Sequence, residues 1–87
     1  MRILLVEDHH DIAGIIFDYF ELKGMTLDHA ANGPRGLELG MEQHYDLIIL
    51  DIMLPKMDGL EVCRTLRAQG VDTPILMLTA MDARKMC

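Results

Sequence analysis

The chain has 87 residues, 51% of them hydrophobic and 25% charged, with fourteen acidic side chains against eight basic ones for a formal charge of −6. That length sets one domain, which buries only about 60 to 65% of the surface its unfolded chain exposes, and the composition excludes a disordered chain. The basic residues are scattered from Arg2 to Lys85, which excludes a cationic track for a nucleic-acid backbone and makes a cation the natural guest of the acidic excess.

The opening MRILLVEDHH carries an apolar run, Ile3 to Val6, that turns acidic at once. It is too short for a secretory leader or a membrane span, and a short branched run between polar residues predicts a strand buried on both faces. From Asp11 onward, Ile12, Ile15, Ile16, Tyr19 and Leu22 recur at helical spacing and predict a helix that Gly24 stops. Met25 to Ala30 reads as a weaker strand. Asn32 as cap and Pro34 in the first turn then open a second helix, which carries Leu37 and Met41 inward and ends near Gln43.

Leu47 to Leu50 is the most apolar strand, with Asp51 at its carboxyl end. After the loop IMLPKM, Asp58 caps a third helix and Glu61, three residues on, completes a capping box. Leu60, Cys63 and either Leu66 or the stem of Arg67 form its inner stripe, and Gly70 closes it. Pro74 precedes a fourth strand, Ile75 to Leu78, and Thr79 follows at its carboxyl end. Cys63 and Cys87 match no paired-cysteine metal spacing; Cys63 reads as a small core residue and Cys87 as a terminal thiol, in keeping with a reducing, cytoplasmic setting.

Three strand-helix units and a final strand, joined by short crossovers, predict an α/β fold: a doubly wound parallel sheet with helices on both faces. Such sheets bind ligands at the carboxyl edge of their strands. If the first and third strands are neighbours, Glu7, Asp8 and Asp51 converge there, and three like charges call for a neutralising partner. A hard divalent cation, Mg²⁺ or another such as Mn²⁺, fits an oxygen set made of Asp8, Asp51 and the backbone carbonyl of Met53, with Glu7 acting through a water. A carboxylate beside such an ion is also a nucleophile for a phosphoryl group. Thr79 then offers a hydroxyl to one phosphoryl oxygen, and the small Ala80 leaves backbone room beside it. Taken singly, Asp51 also fits a strand-end carboxylate satisfied by backbone N–H groups, Thr79 a turn hydroxyl, and the acidic pair a helix N-terminal charge device. Lys56 reads as solvated, and the adjacent His9 and His10 as surface residues facing different ways.

The three segments LLVEDH, LIILDIMLPKMDG and ILMLTA, in this order and spacing, resemble the receiver domain of bacterial two-component response regulators over essentially the whole chain. The resemblance implies a flavodoxin-like sheet, a metal site at Glu7 and Asp8, phosphorylation of Asp51, Pro55 shaping the turn, Gly59 entering the next helix and Thr79 as the switch hydroxyl. It implies phosphoryl transfer from a histidine kinase, at most a receiver's own phosphotransfer and dephosphorylation as enzymatic activity, and a transcriptional output. The wording DIMLPKMDG is nearest to regulators with a winged-helix domain downstream. Haloacid dehalogenase-like hydrolases, also α/β with an Asp nucleophile, place a second Asp two residues after the first, where this chain has Met53.

The sequence ends at MDARKMC, where the family continues through a fourth helix, a fifth strand with its switch aromatic, the active-site lysine and a fifth helix. Lys85, six residues after Thr79, is no substitute for that lysine. Residues 1–87 therefore read as a truncated receiver in which the fourth strand is an open edge. The expectation is self-association, with a terminal segment exchanged between copies, no membrane contact and no nucleic acid bound by this segment. An inactive fragment acting only through binding is the alternative to a working phosphoacceptor.

Overall fold

The computed structural model describes residues 1–78 of the chain. Strand β1 spans Arg2–Val6, α1 His10–Leu22, β2 Thr26–Ala30, α2 Gly33–Glu42, β3 Leu47–Asp51, α3 Gly59–Ala68 and β4 Ile75–Leu78. Every neighbouring pair is parallel, in the order β2-β1-β3-β4. The fold is thus an incomplete flavodoxin-like sheet, as the alternation of periods predicts. No helix among the described residues is long and apolar enough to cross a membrane.

The central strands are apolar without alternation because both of their faces are covered. Leu4, Val6, Ile48 and Leu50 pack with Val62, Cys63 and Leu66 of α3, while Ile3, Leu5 and Ile49 pack with Ala13 of α1 on the other face. From β1 the chain leaves toward β2, and from β3 toward β4, so the winding reverses between β1 and β3. That reversal puts helices on opposite faces and opens a crevice beyond the carboxyl ends of β1 and β3.

Local chemistry sets the helix ends. Asn32 Oδ1 accepts the Arg35 N–H at 2.9 Å, and Asp58 Oδ1 accepts the Glu61 N–H at 2.9 Å. Among the described residues the Glu61 carboxylate makes no return bond, so only the Asp58 half of the capping box forms. Left-handed Gly24 (φ 76°) and Gly70 (φ 83°) follow the ends of α1 and α3.

The structure corrects two helix faces. In α1, Ile12, Ile15, Tyr19 and Leu22 are exposed, and the side against the sheet is Ala13, Ile16 and Phe20. The helix is apolar almost all round, and small Ala13 is its one buried residue. In α2, Leu37 packs against the core as expected, but Met41 is exposed and the buried residues are Gly33, Gly36 and Gly40. A Cβ on Gly36 would lie 2.7 Å from a Val6 methyl, so α2 rides on β1 backbone-close. In α3, Leu66 takes the inner position and the Arg67 guanidinium instead donates to the Val71 carbonyl at 2.8 Å.

Candidate functional site

The site is built where β1 and β3 end. Val6 pairs with Leu50, so the residues that follow, Glu7 and Asp51, emerge side by side at the crevice. The main chain of Glu7 is pinned to the neighbouring strand: its N–H donates to the Ala30 carbonyl at 3.0 Å, and its carbonyl lies 2.7 Å from His29 Nε2. The side chain of Glu7 is buried, with a relative exposure of 4% for the residue. A buried carboxylate needs partners, and it receives them from the next turn of chain. The His9 N–H donates to Glu7 Oε2 at 3.2 Å, and His9 Nδ1 stands 3.2 Å from the same oxygen.

Asp8 differs. Its Oδ1 is buried and has no hydrogen-bond partner among the described residues; the imidazole nitrogen His9 Nδ1 is 3.4 Å away without the geometry of a bond. An orphaned carboxylate oxygen inside an acidic cluster is an unmet demand for positive charge.

Asp51 ends β3 with its Oδ1 accepting the Met53 N–H at 3.1 Å. Burial pushes its pKa above the ordinary 3.8; the Met53 bond opposes the rise, and the charges of Glu7 and Asp8 add to it. His9 moves up from 6.5, mainly through its hydrogen bond to Glu7 and then the charge of Asp8. One ligand atom from each of Glu7, Asp8, His9 and Asp51 falls within 4.8 Å of all the others. A cleft of about 480 Å³ lined by Asp8 through Ile12 opens beside them.

The loop after Asp51 is tightly folded. Ile52 N–H donates to the Leu78 carbonyl at 3.1 Å, and Gly59 N–H to the Ile52 carbonyl at 2.9 Å, which closes the loop on its own base. Met57 N–H reaches the Pro55 carbonyl at 2.8 Å across Lys56, whose φ of 72° belongs to a strained γ-turn. Lys56 is exposed, as the sequence reading has it.

Of the residues singled out from the sequence, Glu7, Asp8 and Asp51 come together, and Met53 joins them through its N–H. Thr79 and Ala80 lie outside the described residues. His9 is the residue that sequence reasoning set aside. Adjacent residues face apart in a strand or a helix, but Glu7 to His9 lie in the bend between β1 and α1, where three successive side chains turn toward one point. The oxygen-rich donor set and the unpartnered Asp8 oxygen fit a hard divalent cation.

Comparison with known proteins agrees with this geometry. Residues 3–87 match the response regulator receiver domain family. The chain is 44% identical over 79 residues to the transcriptional regulatory protein ResD of Bacillus subtilis, covering 91% of this chain and 32% of ResD. It is 48% identical over 80 residues to the transcriptional regulatory protein DltR of Streptococcus agalactiae, covering 92% of this chain and 36% of DltR. The chain thus spans about a third of the length of these curated relatives. Among solved structures, the receiver domain of the Francisella response regulator 1452 superposes with a TM-score of 0.89 at 34% identity, over 93% of this chain and 67% of that one. Thermotoga maritima TrrA, solved in complex with Mg²⁺ and BeF, gives 0.85 at 38% identity, over 91% and 69% of the two chains. TrrA in complex with the histidine kinase ThkA gives 0.85 at 37% identity, over 93% and 70%.

Proposed function

The chain belongs to the family of response regulator receiver domains, and from this we propose that it is a phosphoacceptor, taking a phosphoryl group from a histidine kinase onto Asp51 in the presence of Mg²⁺. The observation that carries the reading is the convergence of Asp51 with Glu7 and Asp8, whose donor atoms lie within 4.8 Å of one another. The TrrA relatives, solved with Mg²⁺ and BeF and with a kinase, support the ion and the partner.

A carboxylate oxygen of Asp51 attacks the phosphorus of a phosphohistidine. The P–N bond breaks, the leaving imidazole nitrogen keeps the electron pair and takes a proton, and Asp51 carries an acyl phosphate. The Met53 N–H on Oδ1 orients the nucleophile. Asp8, Asp51 and the Met53 carbonyl are the proposed ligands, with Glu7 acting through water. Bound Mg²⁺, or Mn²⁺ in its place, offsets the negative charge of the carboxylates and the incoming phosphoryl group. Thr79 donates its hydroxyl to a phosphoryl oxygen, and Ala80 leaves room for the group.

Wider roles rest on the relatives. As part of a longer regulator the domain would act in the cytoplasm and govern a transcriptional output, with no nucleic acid bound by residues 1–87 themselves. Among the described residues β4 pairs with β3 alone, which supports self-association through that edge, a terminal segment being exchanged. Sedimentation showing a monomer at micromolar concentration would overturn that association.

Intact mass after incubation with acetyl phosphate and Mg²⁺ tests the main reading. A gain of one phosphoryl group that disappears in Asp51→Asn and without metal is the expected result. No gain by a folded, Mg²⁺-binding chain would overturn it in favour of a fragment that acts only by binding.

A further inference from the structure

We propose that the His9 imidazole is itself a ligand of the cation held by Glu7, Asp8 and Asp51, so that this pocket discriminates in favour of borderline ions such as Co²⁺ and Zn²⁺ as an all-oxygen pocket does not. The inference rests on the metal reading above and assigns the site a fourth side chain of different chemistry.

Distances carry it. His9 Nδ1 is 3.2 Å from Glu7 Oε2 and 3.4 Å from Asp8 Oδ1. Two donors on adjacent corners of an ion bound at ~2.1 Å stand ~3 Å apart, and two on opposite corners ~4.2 Å. The 3.4 Å between His9 Nδ1 and the Asp8 oxygen lies between these two values, so the imidazole needs only a small movement to join the direct ligands Asp8 and Asp51 on one ion, with Glu7 still acting through water. The unpartnered Asp8 oxygen faces the same imidazole nitrogen.

The ring can make that movement. Its side chain is 67% exposed, and its Nδ1 meets the Glu7 and Asp8 carboxylates, while the His9 N–H bond to Glu7 holds the backbone turn that presents it. His10 is placed differently, edge-on to His29 with ring centroids 6.3 Å apart, and takes no part. Carboxylate and water suit Mg²⁺, whereas imidazole nitrogen favours later first-row ions. A single nitrogen among oxygens thus adds affinity for Co²⁺ and Zn²⁺ and none for Mg²⁺.

Calorimetric titration of the chain with Mg²⁺ and with Co²⁺, in wild type, His9→Ala and His10→Ala, separates the possibilities. His9→Ala should weaken Co²⁺ about tenfold or more with Mg²⁺ affinity changed less than about twofold, and His10→Ala should alter neither. In ¹⁵N spectra, Zn²⁺ should shift the His9 ring nitrogens. Equal changes for both ions would mean that His9 acts through charge alone and would overturn the proposal, as would unchanged Co²⁺ affinity in His9→Ala beside intact Mg²⁺ binding. Failure of the wild type to bind either ion would instead remove the metal reading on which it rests.

Discussion

Gly59, the first residue of α3, lies against the main chain of Asp51: a Cβ built on it would collide with the Asp51 carbonyl oxygen and stand 2.8 Å from Ile52 Cα. The obstacle is the Asp51–Ile52 main chain, so no rotamer change relieves it. Gly59→Ala should cost about 1 to 3 kcal/mol in urea denaturation and slow phosphorylation by acetyl phosphate, because the loop that shapes the Asp51 pocket must part from α3. Wild-type stability and rate together would show that loop and helix separate freely.

The pH dependence of the metal-free chain should carry the signature of Asp51. Its pKa is raised in the folded state, so its contribution is fully present below the unfolded value near 3.8 and is lost as pH rises through the folded value. Asp51→Asn removes that loss. At neutral pH without metal the variant should be more stable than wild type, and the difference should vanish in acid and shrink when saturating Mg²⁺ is added. Urea midpoints across a pH series check this; a variant less stable at neutral pH would contradict it.

At the other end of the sheet, the buried Tyr45 hydroxyl donates to Asp28 Oδ2 at 2.8 Å, an oxygen that the Arg2 guanidinium also holds at 2.9 Å. Burial, then the bond to Asp28, pushes the phenol from 10.0 up to about 12. The stability it brings is therefore present below pH 10 and lost as pH rises through about 12. Tyr45→Phe should cost about 1 kcal/mol at neutral pH and flatten the alkaline limb of the stability profile, as followed by circular dichroism.

The two faces of α1 should respond oppositely to substitution. Ile15 is 70% exposed, and Ile15→Lys should change stability by no more than about 0.5 kcal/mol. Ile16 packs against the core under the sheet, and Ile16→Ala should cost about 1 to 3 kcal/mol. Thermal or chemical unfolding of Ile15→Lys decides between this face and the one that the apolar spacing suggests, with Ile16→Ala, inward on both readings, as the reference.

Strands were legible because a parallel sheet covered on both faces demands apolar runs, and Ile3–Val6 and Leu47–Leu50 are such runs. The carboxylate site followed from the strand order alone, since Glu7, Asp8 and Asp51 sit at or just after the carboxyl ends of strands that adjoin. Spacing could not orient α1, where isoleucines and aromatics occupy nearly every direction and Ala13 is a quiet signal. In α2 the signal was present but of the opposite kind: Gly33, Gly36 and Gly40 recur at helical spacing, and it is their lack of side chains that buries them. His9 escaped because its approach to Glu7 depends on a bend, a feature that no periodicity encodes.

The place of β1 in the sheet has a kinetic consequence. β1 pairs along its length with β2 on one side and β3 on the other, while β2 and β4 are each paired on one side among the described residues. Fraying from the outer strands can proceed without disturbing β1, whereas releasing β1 disrupts pairing on both sides. Amide hydrogens of Ile3 to Val6 should therefore exchange only through the highest-energy openings. The acidic bend of Glu7 to His9 hangs from one of the two inner strands, and Asp51 ends the other, so the acidic end of the crevice keeps its shape through excursions that unzip the margins.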